Sequence, residues 1–134
     1  MWAKKAVLIV DDEFIILESL KIQLERILDK DVIFELASSG EEANAIIDDL
    51  YINQINLLLV ISDFNLDDCK GTDILSYCNG KFSNSKKIIL SGQLDNKIIT
   101  HFKESNDLHD LFSKPWSFDD LRKSICKIPE LFNS

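Results

Sequence analysis

The chain predicts an α/β fold, a doubly wound five-stranded parallel sheet with alternating helices, and three observations carry that prediction. Five short runs rich in aliphatic residues recur at 6–10, 32–37, 57–62, 86–90 and 110–113, with helix-length amphipathic segments between them. The first and third runs are apolar without alternation, as expected of strands covered by helices on both faces. The length, 134 residues, suits a single domain that buries a core without disulfides or structural metal.

The first run ends in Asp11 and Asp12, with Glu13 directly behind. Residues 14–28 then place Ile16, Leu17, Leu20, Leu24, Ile27 and Leu28 at helical spacing. After the second run, Ser39 precedes Glu41 and Glu42, a cap followed by an acidic first turn, which predicts a helix over 41–50. The third run leads to Asp63 within ISDFNL, and Thr72 before Asp73 has the form of a cap for a third helix. The fourth run ends at Ser91 and Gly92, ahead of a helix candidate at 94–102. Lys114, Pro115 and Trp116 follow the fifth run, and Ser117 with Asp119 and Asp120 opens a last helix over 118–126, which Pro129 brings to an end. A core over about 5–127 is expected, with 128–134 a short tail too small to be an output domain.

Composition narrows the function. Hydrophobic residues make up 46% and charged residues 28%, the profile of a folded soluble domain rather than a disordered chain. A net charge of −8 sets the surface against phosphate backbones and anionic lipid, so neither direct nucleic-acid binding nor membrane binding is expected. Cys69, Cys78 and Cys126 are odd in number and lack zinc-site spacing; reduced, partly buried thiols in a cytoplasmic protein are the expectation. No apolar run is long enough to span a bilayer, and residues 1–5 lack the form of a signal peptide.

In a doubly wound sheet, sites lie beyond the carboxyl ends of the strands. Adjacent carboxylates there repel one another, and a hard cation offsets that cost, although Asp11 and Asp12 equally suit a helix start. Asp63 taken alone is as well explained as a turn former, Ser91 as a helix cap, and Lys114 as a solvated lysine. Their joint appearance at four of five strand ends favours a shared pocket. In it Asp63 would be a nucleophile, Asp12 and Asp63 would hold Mg²⁺, and Asp11 would orient the ion through a water. Lys114 would offset negative charge during phosphoryl transfer, and Ser91 would bind the transferred group.

VLIVDDE, SDFNLDDCKGTDIL, IILSG and SKPW resemble, in order and over nearly the whole chain, the signature segments of response-regulator receiver domains. The resemblance implies a (βα)5, flavodoxin-like sheet of strand order 2-1-3-4-5. It implies Asp63 as phosphorylation site, Ser91 as switch hydroxyl, Lys114 as phosphate-pairing lysine, and Asp11, Asp12, Asp63 and the Asn65 backbone carbonyl as Mg²⁺ ligands. Gly71 matches the glycine that opens the third helix, while Asn65 and Gln93 match positions that tune attack by water. Such a domain is a signalling module that catalyses only its own phosphorylation and dephosphorylation. Its phosphate comes from a histidine kinase or phosphotransfer protein, and its readout face, roughly 94–126, meets a downstream protein or fused output domain, or a second copy in a phosphorylation-dependent homodimer.

Two positions depart from the family's pattern. Asp67 stands where many relatives have proline, which predicts a more acidic and less constrained loop. Leu111, three residues before Lys114, takes the place of the usual switch aromatic, and Phe112 beside it is expected to face the other side of the strand. An adaptor that binds without phosphorylation, and a small hydrolase or phosphatase using the same carboxylates, are the alternative functions. His101 and His109 lack metal-ligand neighbours and are expected to be structural or solvated. Trp116 either packs the start of the last helix, the favoured reading, or stays exposed as a partner contact.

Overall fold

The computed structural model describes residues 2–93, 95–105 and 108–132. Strand β1 (Lys5–Val10) leads into helix α1 (Phe14–Ile27), β2 (Ile33–Ala37) into α2 (Gly40–Ile52), and β3 (Asn56–Asp63) into α3 (Gly71–Asn79). Strand β4 (Lys86–Ser91) then precedes α4 (Asn96–Ser105), and β5 (Asp110–Ser113) precedes α5 (Phe118–Ile125). All pairings are parallel and the order is β2-β1-β3-β4-β5, the predicted doubly wound sheet. Leu94, the expected start of the fourth helix, lies outside the described residues.

Period-two alternation sorts the strand residues into two cores. Val7, Ile9, Leu59, Ile61, Ile88 and Leu90 pack with Leu17, Leu20 and Leu24 of α1 and Leu121 and Ile125 of α5. On the opposite face Ala6, Leu8, Val10, Val60 and Ile89 meet Ala43 and Ile47 of α2, Ile74 of α3 and Phe102 of α4. Ala6 pairs with Leu57 but Val7 with Leu59, so Leu58 is an extra residue. This bulge puts Leu58 and Leu59 on the same side of the sheet. Each fully buried aliphatic side chain of these strands contributes roughly 1.5–3 kcal/mol by leaving water.

Two helix starts carry the caps that their sequence predicts, and the start of α3 does not. Ser39 accepts from the Glu42 N–H at 3.1 Å and Ser117 from the Asp120 N–H at 3.3 Å, as predicted. Thr72 does not cap α3; it sits inside the first turn, and Asp73 reaches back to accept from the Lys70 N–H at 3.0 Å. The helix begins two residues early, at Gly71, which lies against the backbone carbonyl of Asp63, where any Cβ would collide.

The packed core is wider than residues 5–127. Ile128 and Leu131 are each 1% exposed within the α1/α5 cluster, and Pro129 opens a 3-10 turn (Pro129–Leu131) within the expected tail. At the other end Trp2 stacks edge-on against Tyr51 and Phe82, with ring centroids 5.6 and 6.0 Å away. Cys78 is buried and Cys69 half-buried, whereas Cys126 is exposed, contrary to its expected burial, because it follows the last turn of α5 on the solvent side. Trp116 packs: it is half-buried against the α1/α5 cluster, and its indole N–H donates to Gln23 Oε1 at 2.8 Å. His109 is tied to the backbone carbonyl of Ser124 at 2.9 Å, and His101 is exposed on α4. Among the described residues no helix is long and apolar enough to cross a membrane.

Candidate functional site

Because all five strands run the same way, the residues that end them gather on one rim. Asp11 follows β1, Asp63 and Ser91 are the last residues of β3 and β4, and Lys114 follows β5. Lys114 is anchored there by its own N–H, which donates to Ser91 O at 2.9 Å, and its bond to Pro115 is cis. Its ammonium reaches back over the sheet end to lie 2.6 Å from Asp11 Oδ2 and 3.2 Å from Asp63 Oδ1. Glu13 Oε2 stands at 3.9 Å on the outer side. Carboxylate oxygens of Asp11, Asp12 and Asp63 lie within 4.8 Å of one another.

The helix-start reading of the acidic pair does not fit this geometry. Glu13 occupies the cap position of α1 without a side-chain bond, and its N–H is taken by Asp11 Oδ1 at 2.9 Å. Asp11 is fully buried and Asp63 nearly so, whereas Asp12 is exposed. Burial pushes the Asp11 carboxyl above its ordinary value; Lys114 and the Glu13 N–H oppose the rise and Asp12 adds to it. Burial likewise raises Asp63, against Lys114 and together with the charges of Asp11 and Asp12. For Lys114, burial alone would pull the pKa down, but the hydrogen bonds and charges of Asp11 and Asp63 outweigh it and hold the ammonium above its ordinary value. One lysine thus faces three carboxylates, and the pocket lacks positive charge.

That deficit, and the donor set, fit a hard divalent cation. Among the described residues, the buried Asp11 Oδ2 is met by the Lys114 ammonium and by no other donor. The segment after Asp63 doubles back as a narrow hairpin in which Gly71 N–H donates to Phe64 O at 2.7 Å and Leu66 N–H to Cys69 O at 3.0 Å. Asn65 and Lys70 face each other across it, and since their neighbours make both bonds, the Asn65 carbonyl is not spent on the pairing. Three carboxylates and a free carbonyl are all-oxygen ligands of the kind Mg²⁺ takes.

Ser91 and its surroundings are arranged differently from the other groups. Its hydroxyl donates to Gln93 O at 3.0 Å and accepts from the Gln93 N–H at 3.3 Å, so it is engaged with its own loop. It does not cap α4; Asp95 does, accepting from the Ile98 N–H at 2.9 Å. Leu111 packs with the α2/α3 face of the sheet and Phe112 with the α1/α5 face, the expected opposition. The loop after Asp63, expected to be loosely held for want of proline, is fastened at its tip. Asp68 accepts from the N–H groups of Gly40 at 2.9 Å and Glu41 at 3.0 Å. Neither this contact nor the approach of Glu13 to Lys114 is legible in sequence, because nothing local distinguishes Asp68 from Asp67 or marks a partner 28 residues away.

Over residues 7–126 the chain matches the family model described as response regulator receiver domain. No curated protein matches it. Among solved structures, a response regulator receiver domain protein from Clostridium thermocellum is 28% identical, with a TM-score of 0.75 and 94% of each chain covered. A CheY-like receiver domain protein from Methanospirillum hungatei JF-1 is also 28% identical, with a TM-score of 0.77 over 96% of this chain and 97% of that one. The signal receiver domain of a DNA binding response regulator from Colwellia psychrerythraea 34H, 19% identical, shares the fold, with a TM-score of 0.78 over 93% of this chain and 98% of that one.

Proposed function

Since the chain belongs to the response regulator receiver domain family of two-component signalling, we propose that Asp63 is its phosphoryl acceptor and that phosphorylation switches a protein-binding face. The observation that carries the proposal is the placement of Lys114 Nζ between Asp11 and Asp63, at 2.6 and 3.2 Å, beside a third carboxylate.

An Asp63 carboxylate oxygen attacks the phosphorus of a phosphohistidine or a small acyl phosphate. The bond from phosphorus to the leaving imidazole or carboxylate breaks, its electron pair leaves with that group, and Asp63 becomes an acyl phosphate. Asp11, Asp12, Asp63 and the Asn65 carbonyl would hold Mg²⁺, which when bound supplies positive charge to the phosphoryl oxygens. Lys114, kept protonated by its carboxylate neighbours, pairs with a second phosphoryl oxygen as transfer proceeds. Ser91 exchanges its bond to Gln93 O for one to the new phosphoryl group, which moves the loop leading into α4. The affected face, α4, β5 and α5, then meets a downstream protein, a fused output domain or a second copy. The donor is a histidine kinase or phosphotransfer protein in the cytoplasm, and water attack on the acyl phosphate resets the switch.

Incubation with Mg²⁺ and a small acyl phosphate, followed by intact mass measurement, tests the acceptor. One phosphoryl group is expected on the wild type and none on Asp63→Asn. No gain under conditions that modify a control receiver would overturn the proposal. It would favour a phosphorylation-independent adaptor, the reading that Leu111 at the aromatic position motivates.

A further inference from the structure

The hairpin after Asp63 contains no proline, and its tip is held from outside. The two carboxylate oxygens of Asp68 accept from the N–H groups of Gly40 and Glu41, 28 and 27 residues away, at 2.9 and 3.0 Å. Helix α2 already has its own cap in Ser39, bonded to the Glu42 N–H at 3.1 Å. Asp68 therefore takes N–H groups that Ser39 leaves open at the same helix end. The seat is close: a Cβ at Gly40 would collide with Cys69 Sγ and stand 3.3 Å from Asp68 Oδ1, so glycine is what admits the hairpin tip.

The platform on which Asp68 lands is itself joined to the acidic pocket. The Asp11 N–H donates to Ala37 O, the end of β2, at 3.1 Å, and α2 starts three residues later. A closed ring results, running from Asp11 through Ala37 and the start of α2 to Asp68, then down the hairpin past Asn65 to Asp63. The bonds across the hairpin join its two arms to each other, while the contact at its tip joins it to the start of α2. A change in the tilt of the hairpin would turn the Asn65 carbonyl, and Mg²⁺ demands near-ideal octahedral placement of its ligands.

We propose that Asp68 is a positioning residue of the phosphoryl site: by latching the hairpin to the first turn of α2 it holds the Asn65 carbonyl in place for the cation. The inference rests on the reading of Asp11, Asp12, Asp63 and Asn65 as a Mg²⁺ site. It assigns a role in ion binding to a side chain that touches neither ion nor phosphoryl group.

Two variants that uncap the same helix end separate this role from simple support of α2. The measurement is a Mg²⁺ titration of the unphosphorylated full chain, followed by backbone amide chemical shifts, with thermal unfolding as a control. Asp68→Ala is expected to weaken Mg²⁺ binding about tenfold, as loss of an outer ligand-orienting contact does. Asp68→Asn, which keeps one of the two acceptor oxygens and faces the other N–H with a donor, is expected to recover only part of that loss. Ser39→Ala is expected to lower the unfolding midpoint but bind Mg²⁺ as the wild type does. Wild-type affinity in Asp68→Ala, or the same loss in Ser39→Ala, would overturn the latch and leave the site standing. A wild type whose shifts around Asp11 and Asp63 do not respond to Mg²⁺ would overturn the site itself, and the latch with it.

Discussion

Two sets of aspartates share one rim of the sheet and are pushed in opposite directions. Asp11 and Asp63 are buried beside one another, and loss of water raises both carboxyls despite Lys114 between them. Asp68 is exposed, and the Gly40 and Glu41 N–H groups hold its carboxyl below the ordinary range. The difference is one of hydration and donors, since the residue type is the same. In the pocket, ionised oxygens are crowded with too little positive charge, a costly state that leaves them available to a cation and a phosphoryl group. At the latch, the same group finds the open N–H groups of a helix start and stabilises the fold.

The largest expected effect comes from removing the Lys114 ammonium of the pocket. Lys114→Ala leaves two buried carboxylates unpaired and is expected to cost about 3 kcal/mol in Mg²⁺-free urea denaturation. Lys123→Ala, which breaks the exposed 3.2 Å pair with Asp119, is expected to cost far less. Equal losses would break the contrast between buried and exposed ion pairs.

Asp63→Asn works in the other direction. It removes one of the crowded charges and is expected to stabilise the Mg²⁺-free protein on the order of 1 kcal/mol, the scale of a like-charge pair about 4 Å apart in a hydrated site. A destabilised variant in the same assay would mean that Asp63 is satisfied rather than strained.

The smallest effect is a pH dependence at the latch. The folded pKa of Asp68 is depressed, so its contribution is fully present above the unfolded value near 4 and is lost as pH falls through the folded value. The difference in denaturation midpoint between wild type and Asp68→Asn is therefore expected to hold steady above about pH 5 and to close on acidification. A difference that persists unchanged at lower pH would show that the charge of Asp68 is not what the N–H groups hold.

Much of this is legible in the chain alone. Apolar runs of strand length, and helices with one apolar stripe, are local patterns, because the side-chain period of each element dictates which residues leave water. The doubly wound sheet and the placement of Asp11, Asp63, Ser91 and Lys114 at strand ends follow from them, since parallel strands bring their carboxyl ends to one rim. Ser39 and Ser117 cap as their neighbours indicate, because a cap reaches only three residues along the chain.

Tertiary structure decided what depends on partners distant in sequence. Ile128, Leu131 and Trp2 lie outside any periodic segment, and only the space left beside α1, α5 and Phe82 makes them core. Thr72 yields to Asp73, which reaches back to the Lys70 N–H once α3 starts at Gly71 against the carbonyl of Asp63. Asp68 and Gly40 meet only once β2 and β3 flank β1, when a side chain and two open N–H groups 28 residues apart come within hydrogen-bond reach. Periodicity records which side of an element is dry, whereas a directional bond across the fold exists only when both elements are in place.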